Sequence, residues 1–264
     1  MPGNPGEQES TRFARKFVSD RTVPMTDPSF LLSMINCAET FRVCFPTVVD
    51  AGLGRLTRGQ CDDRLDAWSR RVVAHVEPRL HVVGREHHDS KSSFIVMSNH
   101  QSLYDVPVLF QALGPNLRMV AKHELFWIPV FGGALREAGF VSIDRSKREE
   151  ARESLARARE LLASGVSVWI APEGTRSRDG SLLPMKMGGF HLALETGWPI
   201  LPVSLDGTRA ILPAKAASSV RGAAVTVTVH APIDPTTYGS NVPEARRALA
   251  DAVRSALASG LPRS

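Results

Sequence analysis

Between residues 80 and 230, short apolar runs of strand type alternate with stretches of helical spacing, and this pattern narrows the fold more than any other feature. The strand-like runs are "LHVVG" (80–84), 93–98, "LRMVA" (117–121), "FVSI" (140–143), "VSVWIA" (166–171), "PILPVSL" (199–205) and "AVTVTVH" (224–230). Helical spacing marks 59–78, where Leu65, Trp68, Val72, Val73 and Val76 recur on one face. It also marks 105–113, part of 127–138, 146–165, 188–197 and 243–259. Ser146 and Glu149 have capping-box spacing, and Gly165 and Gly260 stand where two of these helices stop. Alternation of this kind predicts an α/β fold, with a mostly parallel central sheet flanked by helices. No internal repeat is visible, and 264 residues allow one large domain or two small ones.

The first part of the chain reads differently. Residues 1–27 form a flexible polar tail carrying Arg12, Arg15, Lys16 and Arg21, with no apolar core of a secretory signal. Residues 28–58 form an N-terminal helical element, and 59–264 the main domain. The run 28–49 is apolar around much of its circumference but is broken by Glu39, Arg42 and Pro46. It falls short of the roughly 18 uninterrupted apolar residues that a spanning helix needs. Two readings stand: an amphipathic helix pair lying in a membrane interface, or a helix packed on its own domain. Three cysteines, Cys37, Cys44 and Cys61, show no CxxC spacing, which argues against a disulfide framework and a zinc site and fits a reducing compartment. A net charge of +5 suits phosphates or lipid headgroups. Nucleic acid ranks lowest, because no basic stretch is interleaved with aromatics.

In a parallel sheet, sites gather where strands end. Three strands end in unusual polar sequences: "SNHQSLYD" (98–105), "DR" (Asp144, Arg145) and "PEGTRSRDG" (172–180). His100 and Asp105 could form a general-base dyad, the carboxylate fixing the imidazole tautomer. The alternative is that Asp105 caps a helix whose first turn holds Pro107, with His100 incidental. No G-x-S-x-G elbow accompanies them, so a dyad here would activate a substrate hydroxyl or water. Gly174 permits a tight turn after Glu173, and Thr175, Arg176 and Ser177 add donors suited to phosphate. Lys122 and Arg145 each read as a phosphate contact or as a solvated surface residue.

Taken in order, "NHQSLYD", "KHELFWIPVFGGALREAGFVSIDR", "APEGTRS" and "PILPVS" resemble the glycerolipid acyltransferases, in particular the 1-acyl-glycerol-3-phosphate acyltransferases. The H-x4-D signature falls on His100 and Asp105. The second block falls on Gly139 to Arg145, the third on Pro172 to Ser177, and the fourth on Ile200 to Val203. The resemblance covers about 80–230. Ser142 departs from it, since the family more often has a bulky apolar or aromatic residue there.

The resemblance implies that residues 59–264 are an acyltransferase domain and that His100 and Asp105 are catalytic, with no covalent acyl-enzyme. Lys122, Arg145 and Arg176, in a loop formed with Glu173, Gly174, Thr175 and Ser177, would bind the acceptor phosphate. It implies a lysophospholipid acceptor, acyl-CoA or acyl-carrier protein as donor, and neither metal nor other cofactor. It also favours the membrane reading of residues 28–49, with the protein peripheral or monotopic on the cytoplasmic side. Another lysophospholipid or a lyso-aminolipid is the alternative acceptor. A thioester hydrolase, with His100 activating water, is the alternative of another class.

Overall fold

The computed structural model describes residues 24–143 and 148–262. The tail expected over 1–27 lies almost wholly outside them, as do Asp144, Arg145 and Ser146. Seven strands form one sheet: β1 (Arg79–Val83), β2 (Ile95–Ser98), β3 (Leu117–Lys122), β4 (Val141–Ile143), β5 (Ser167–Ile170), β6 (Ile200–Asp206) and β7 (Ala224–Val229). Their order is β1-β7-β6-β2-β5-β3-β4, and every pairing is parallel except β6 with β7. The expected mostly parallel α/β sheet is therefore present. β2 lies at its centre, and all four of its residues are buried. That is why "IVMS" is apolar without alternation, as strands covered on both faces are.

Successive residues of a strand point to opposite faces, and β2 sorts the helices accordingly. Val96 joins a core with Val72, Val73 and Val76 of α2 (Arg58–Val76) and Val108, Leu109 and Phe110 of α3 (Asp105–Leu113). Ile95 and Met97 face the other layer. There they meet Ala158 and Leu162 of α5 (Arg148–Ala163), Phe190 of α6 (Gly188–Thr196), and Leu249 and Val253 of α8 (Pro243–Ser259). Two short helices, α4 (Phe131–Glu137) and α7 (Thr208–Ile211), complete the set.

The N-terminal segment corrects one expectation. Residues 28–49 are not a helix pair. Residues 30–49 lie in a single helix, α1 (Phe30–Gly52), whose N-cap Ser29 accepts the Leu32 N–H at 3.3 Å. Pro46 sits inside it. An interior proline costs about 3 kcal/mol in an isolated helix. Here packing on both sides of it holds the helix together, since Leu32, Asn36, Cys44 and Thr47 are buried against the domain. Arg71 and Glu39 (2.8 Å) and Arg64 and Asp50 tie α1 to α2. The outer face stays apolar and uncovered: Phe30, Leu31, Met34 and Phe45 are exposed. Packing and exposure thus coexist on one helix. Among the described residues no helix is long and apolar enough to cross a membrane.

Candidate active site

The chain leaves β2 at Ser98 and reaches α3 at Asp105, and the six residues between are sewn to β6. Asn99 brackets the Leu205 peptide: its amide donates to the Leu205 carbonyl and its oxygen accepts the Leu205 N–H, both at 2.8 Å. Gln101 donates to the same carbonyl at 3.1 Å, and the Ser102 hydroxyl donates to the Leu212 carbonyl at 2.8 Å. Polar groups this deeply buried require partners, and these partners fix where His100 stands.

The His100 Nδ1–H donates to Asp105 Oδ2 at 2.6 Å. The same oxygen accepts the N–H groups of Gln101 (2.7 Å) and Ser102 (2.9 Å), and the Thr208 hydroxyl donates to Oδ1. A carboxylate receiving four donors acts as acceptor only, so the shared imidazole proton belongs to Nδ1 and Nε2 carries the free lone pair. Asp105 is fully buried, while the His100 side chain keeps 19% exposure. Asp105 does not cap α3. It is the first helical residue, Tyr104 holds the cap position, and the carboxylate closes the turn before the helix. Thr208 follows Gly207, whose φ of +87° turns the chain off β6; a Cβ there would lie 1.9 Å from the Ala224 carbonyl oxygen. The Trp169 ring meets the imidazole edge-on at 5.5 Å, and its N–H donates to Ser98 at 2.8 Å.

Among the described residues, neither serine beside the dyad in sequence stands ready as a nucleophile. The Ser98 hydroxyl donates to the Asn99 carbonyl, and that of Ser102 is used on Leu212. Of the three free cysteines, burial pushes the Cys44 thiol up to about 11 and raises that of Cys61, which keeps both protonated and inert.

The loop after β5 grips His100 by its backbone. Glu173 Oε1 accepts the His100 N–H at 3.0 Å, Oε2 accepts the Leu183 N–H at 2.7 Å, and the Ser177 N–H donates to the His100 carbonyl at 2.8 Å. The Ser177 hydroxyl is engaged inside its own loop. It donates to Asp179, whose carboxyl is drawn down to about 2 by hydrogen bonds from Ser181 and Ser177, and it accepts the Gly180 N–H. Burial raises the carboxyl of Glu173, against the pull of the Leu183 and His100 N–H groups. Because its folded value is raised, the stability Glu173 contributes is complete below the ordinary value of 4.5 and declines as pH climbs through the folded one. Glu173→Ala, which orphans two buried N–H groups, is expected to cost about 2–4 kcal/mol. Glu173→Gln should cost less and flatten the unfolding midpoint against pH across that window. Thermal unfolding at several pH values checks both.

Gly174, Thr175, Arg176, Lys122 and His100 all line one cavity of about 1070 Å³, which runs between the sheet edge and α1. Most of its wall is apolar, including Trp68, Met119, Leu135 and Phe140. Gly174 has φ +74°, which turns Thr175 and Arg176 outward from the strand end. Lys122 is 74% exposed and pairs with Glu124 at 2.7 Å, a surface contact worth little. His100, Lys122, Gly174, Thr175 and Arg176 thus meet on one cavity wall, whereas Asp105 is buried behind His100, Glu173 and Ser177 hold the loop behind the wall, and Arg145 lies outside the described residues.

Residues 79–206 match the family model described as "Acyltransferase". A crystal structure of the 1-acyl-sn-glycerophosphate (LPA) acyltransferase from Thermotoga maritima superposes with a TM-score of 0.69. It is 28% identical, over 87% of this chain and 93% of that one. Over residues 79–206 the chain carries an acyltransferase-family domain. Among curated members of that family, a chloroplastic 1-acyl-sn-glycerol-3-phosphate acyltransferase of Brassica napus is 37% identical over 168 residues, 62% of this chain and 47% of its own. The 1-acyl-sn-glycerol-3-phosphate acyltransferase of Haemophilus influenzae is 38% identical over 118 residues, 44% of this chain and 49% of its own. The chain spans about half the length of the curated relatives it matches. The family segment holds His100, Asp105, Lys122, Trp169 and Arg176, whereas α1 and Thr208 lie beyond it.

Sequence reasoning missed Asn99, Trp169 and Thr208. The first sits beside the dyad in sequence and carries a recognisable signal, a buried-strand end followed by an amide. Trp169 reaches the site from β5 and Thr208 from the start of α7, just after β6, and local pattern does not pair them.

Proposed function

We propose that the protein transfers a fatty acyl group from acyl-CoA or acyl-carrier protein to the free hydroxyl of lysophosphatidate, giving phosphatidate. The observation that carries this reading is His100, held by buried Asp105, on the wall of a largely apolar cavity, with unengaged Nε2 and with Arg176 and Lys122 on the same wall. His100 Nε2 takes the proton of the acceptor hydroxyl as the oxygen attacks the thioester carbonyl. The tetrahedral intermediate collapses, the C–S bond breaks, and the imidazolium returns the proton to the leaving thiolate. Asp105 holds the imidazole and supports its transient charge. Metal is not required by this sequence of steps. The exposed apolar face of α1, with Trp127 on the turn beside α4, supports seating on a membrane surface where acceptor and product reside.

Arg176 and Lys122, joined by Arg145 on the strength of the family pattern, bind the acceptor phosphate. An acceptor comparison tests this. Lysophosphatidate should be acylated far faster than monoacylglycerol, which has the same hydroxyl and no phosphate. Arg176→Ala should raise the KM for lysophosphatidate about 10–100-fold, the size of a lost charge-assisted contact of about 1.5–3 kcal/mol, with the KM for acyl-CoA little changed. Equal rates on both acceptors, or a selective loss of donor affinity, would remove the phosphate role.

A further inference from the structure

A buried polar chain joins α1 to the loop that carries the dyad. The Asn36 amide of α1 donates to the Tyr104 hydroxyl at 2.6 Å, and that hydroxyl shares a hydrogen bond with Ser219 at 2.9 Å. Ser219 shares another with Ser33 of α1 at 2.8 Å, and its backbone exchanges two hydrogen bonds with Ser29, just before α1 begins. The Asn36 oxygen lies 2.7 Å from His75 Nδ1 on α2. Asn36, Tyr104 and Ser219 are all buried. Tyr104 is the residue before Asp105 and holds the cap position of α3, its carbonyl accepting the Val108 N–H at 3.1 Å.

We propose that Tyr104 is a positioning residue for the dyad, and that Asn36 and Ser219 make it a latch through which α1 sets the catalytic carboxylate. The phenol has its hydrogen-bonding roles filled by Asn36 and Ser219, so it acts through the turn it begins and not on a reacting atom. Burial raises the Tyr104 hydroxyl above its ordinary value, which keeps it neutral and able to donate. Asp105 takes two of its four donors from Gln101 and Ser102, three and two residues before Tyr104 in the same turn. A shift of the Tyr104 ring therefore moves the carboxylate against His100 Nδ1. The same helix that presents Asn36 inward presents Phe30, Leu31, Met34 and Phe45 outward. Its seating on a lipid surface is thereby linked to the geometry of the base.

The inference rests on the acyl-transfer reading for its kinetic arm and on the dyad alone for its spectroscopic arm. Full-length wild type, Tyr104→Phe and Asn36→Leu are compared in phosphatidate formation on vesicles. Both variants should lose about tenfold in kcat with the KM for each substrate within twofold, the pattern of a hydrogen bond that matters in the transition state. The double variant should lose no more than either alone, because one latch is broken in each. In parallel, the low-field proton resonance of the His100 Nδ1–H, identified by its loss in His100→Ala, should shift or broaden in both variants. Wild-type kcat in folded Tyr104→Phe, additive losses in the double variant, or an unmoved resonance would each overturn the latch. Absence of transfer by wild type would sink the acyl-transfer reading, and the resonance would still decide the latch.

Discussion

His100→Ala is expected to lower phosphatidate formation about 10²–10⁴-fold, the contribution of a positioned general base. The fold should survive, because the neighbours are held by the backbone and side chains of other residues. Asn99 brackets Leu205, and Glu173 and Ser177 hold residue 100 by its N–H and C=O, which alanine retains. The loss should fall mainly on kcat, since the imidazole reaches the acceptor hydroxyl and not the phosphate or the acyl chain. Steady-state kinetics with a thermal unfolding control checks this. Residual activity within threefold of wild type would take the base role from His100.

Asp105→Asn should be at least as severe, about 10³–10⁴-fold in kcat, because it attacks the tautomer itself. The amide can present its oxygen to Gln101 and Ser102 only by turning its NH₂ toward the Thr208 hydroxyl. The oxygen then serves three donors without the charge that supports an imidazolium. The opposite flip points an NH₂ at two backbone N–H groups and leaves each buried donor unsatisfied, at about 1–3 kcal/mol apiece. Either way stability falls along with rate, unlike His100→Ala. Paired measurements of kcat and unfolding midpoint separate the two variants. An Asp105→Asn enzyme with wild-type kcat would reduce Asp105 to a turn residue.

These residues show what sequence could and could not say. The sheet was legible because its central strands carry unbroken apolar runs and its helices carry clean periodicity and stop signals. β2, β5 and β6 stand within a residue or two of their expected bounds. His100, Asp105 and the "PEGTRS" loop were legible because polar residues clustered at strand ends announce a site in a parallel sheet. The reach of Thr208 to Asp105 spans 103 residues and that of Trp169 to Ser98 spans 71, and such partners follow from strand order, which local pattern does not encode. For residues 28–49 the sequence left two readings open, a helix pair or a packed helix, because Glu39, Arg42 and Pro46 interrupt the apolar run; α1 is one helix that continues through Pro46. Its continuity comes from packing on α2 and α4, a tertiary effect outweighing a local one. Tyr104 gave no sequence signal beyond being apolar at a core position, because its partner Asn36 stands 68 residues away.

Thiol release from acyl-CoA, measured with and without lysophosphatidate, distinguishes transfer to the acceptor hydroxyl from hydrolysis. Release should depend on lysophosphatidate and match phosphatidate one for one, with the intact mass of the protein unchanged throughout. Equal release in both tubes would mean that His100 activates water and that the protein is a thioester hydrolase.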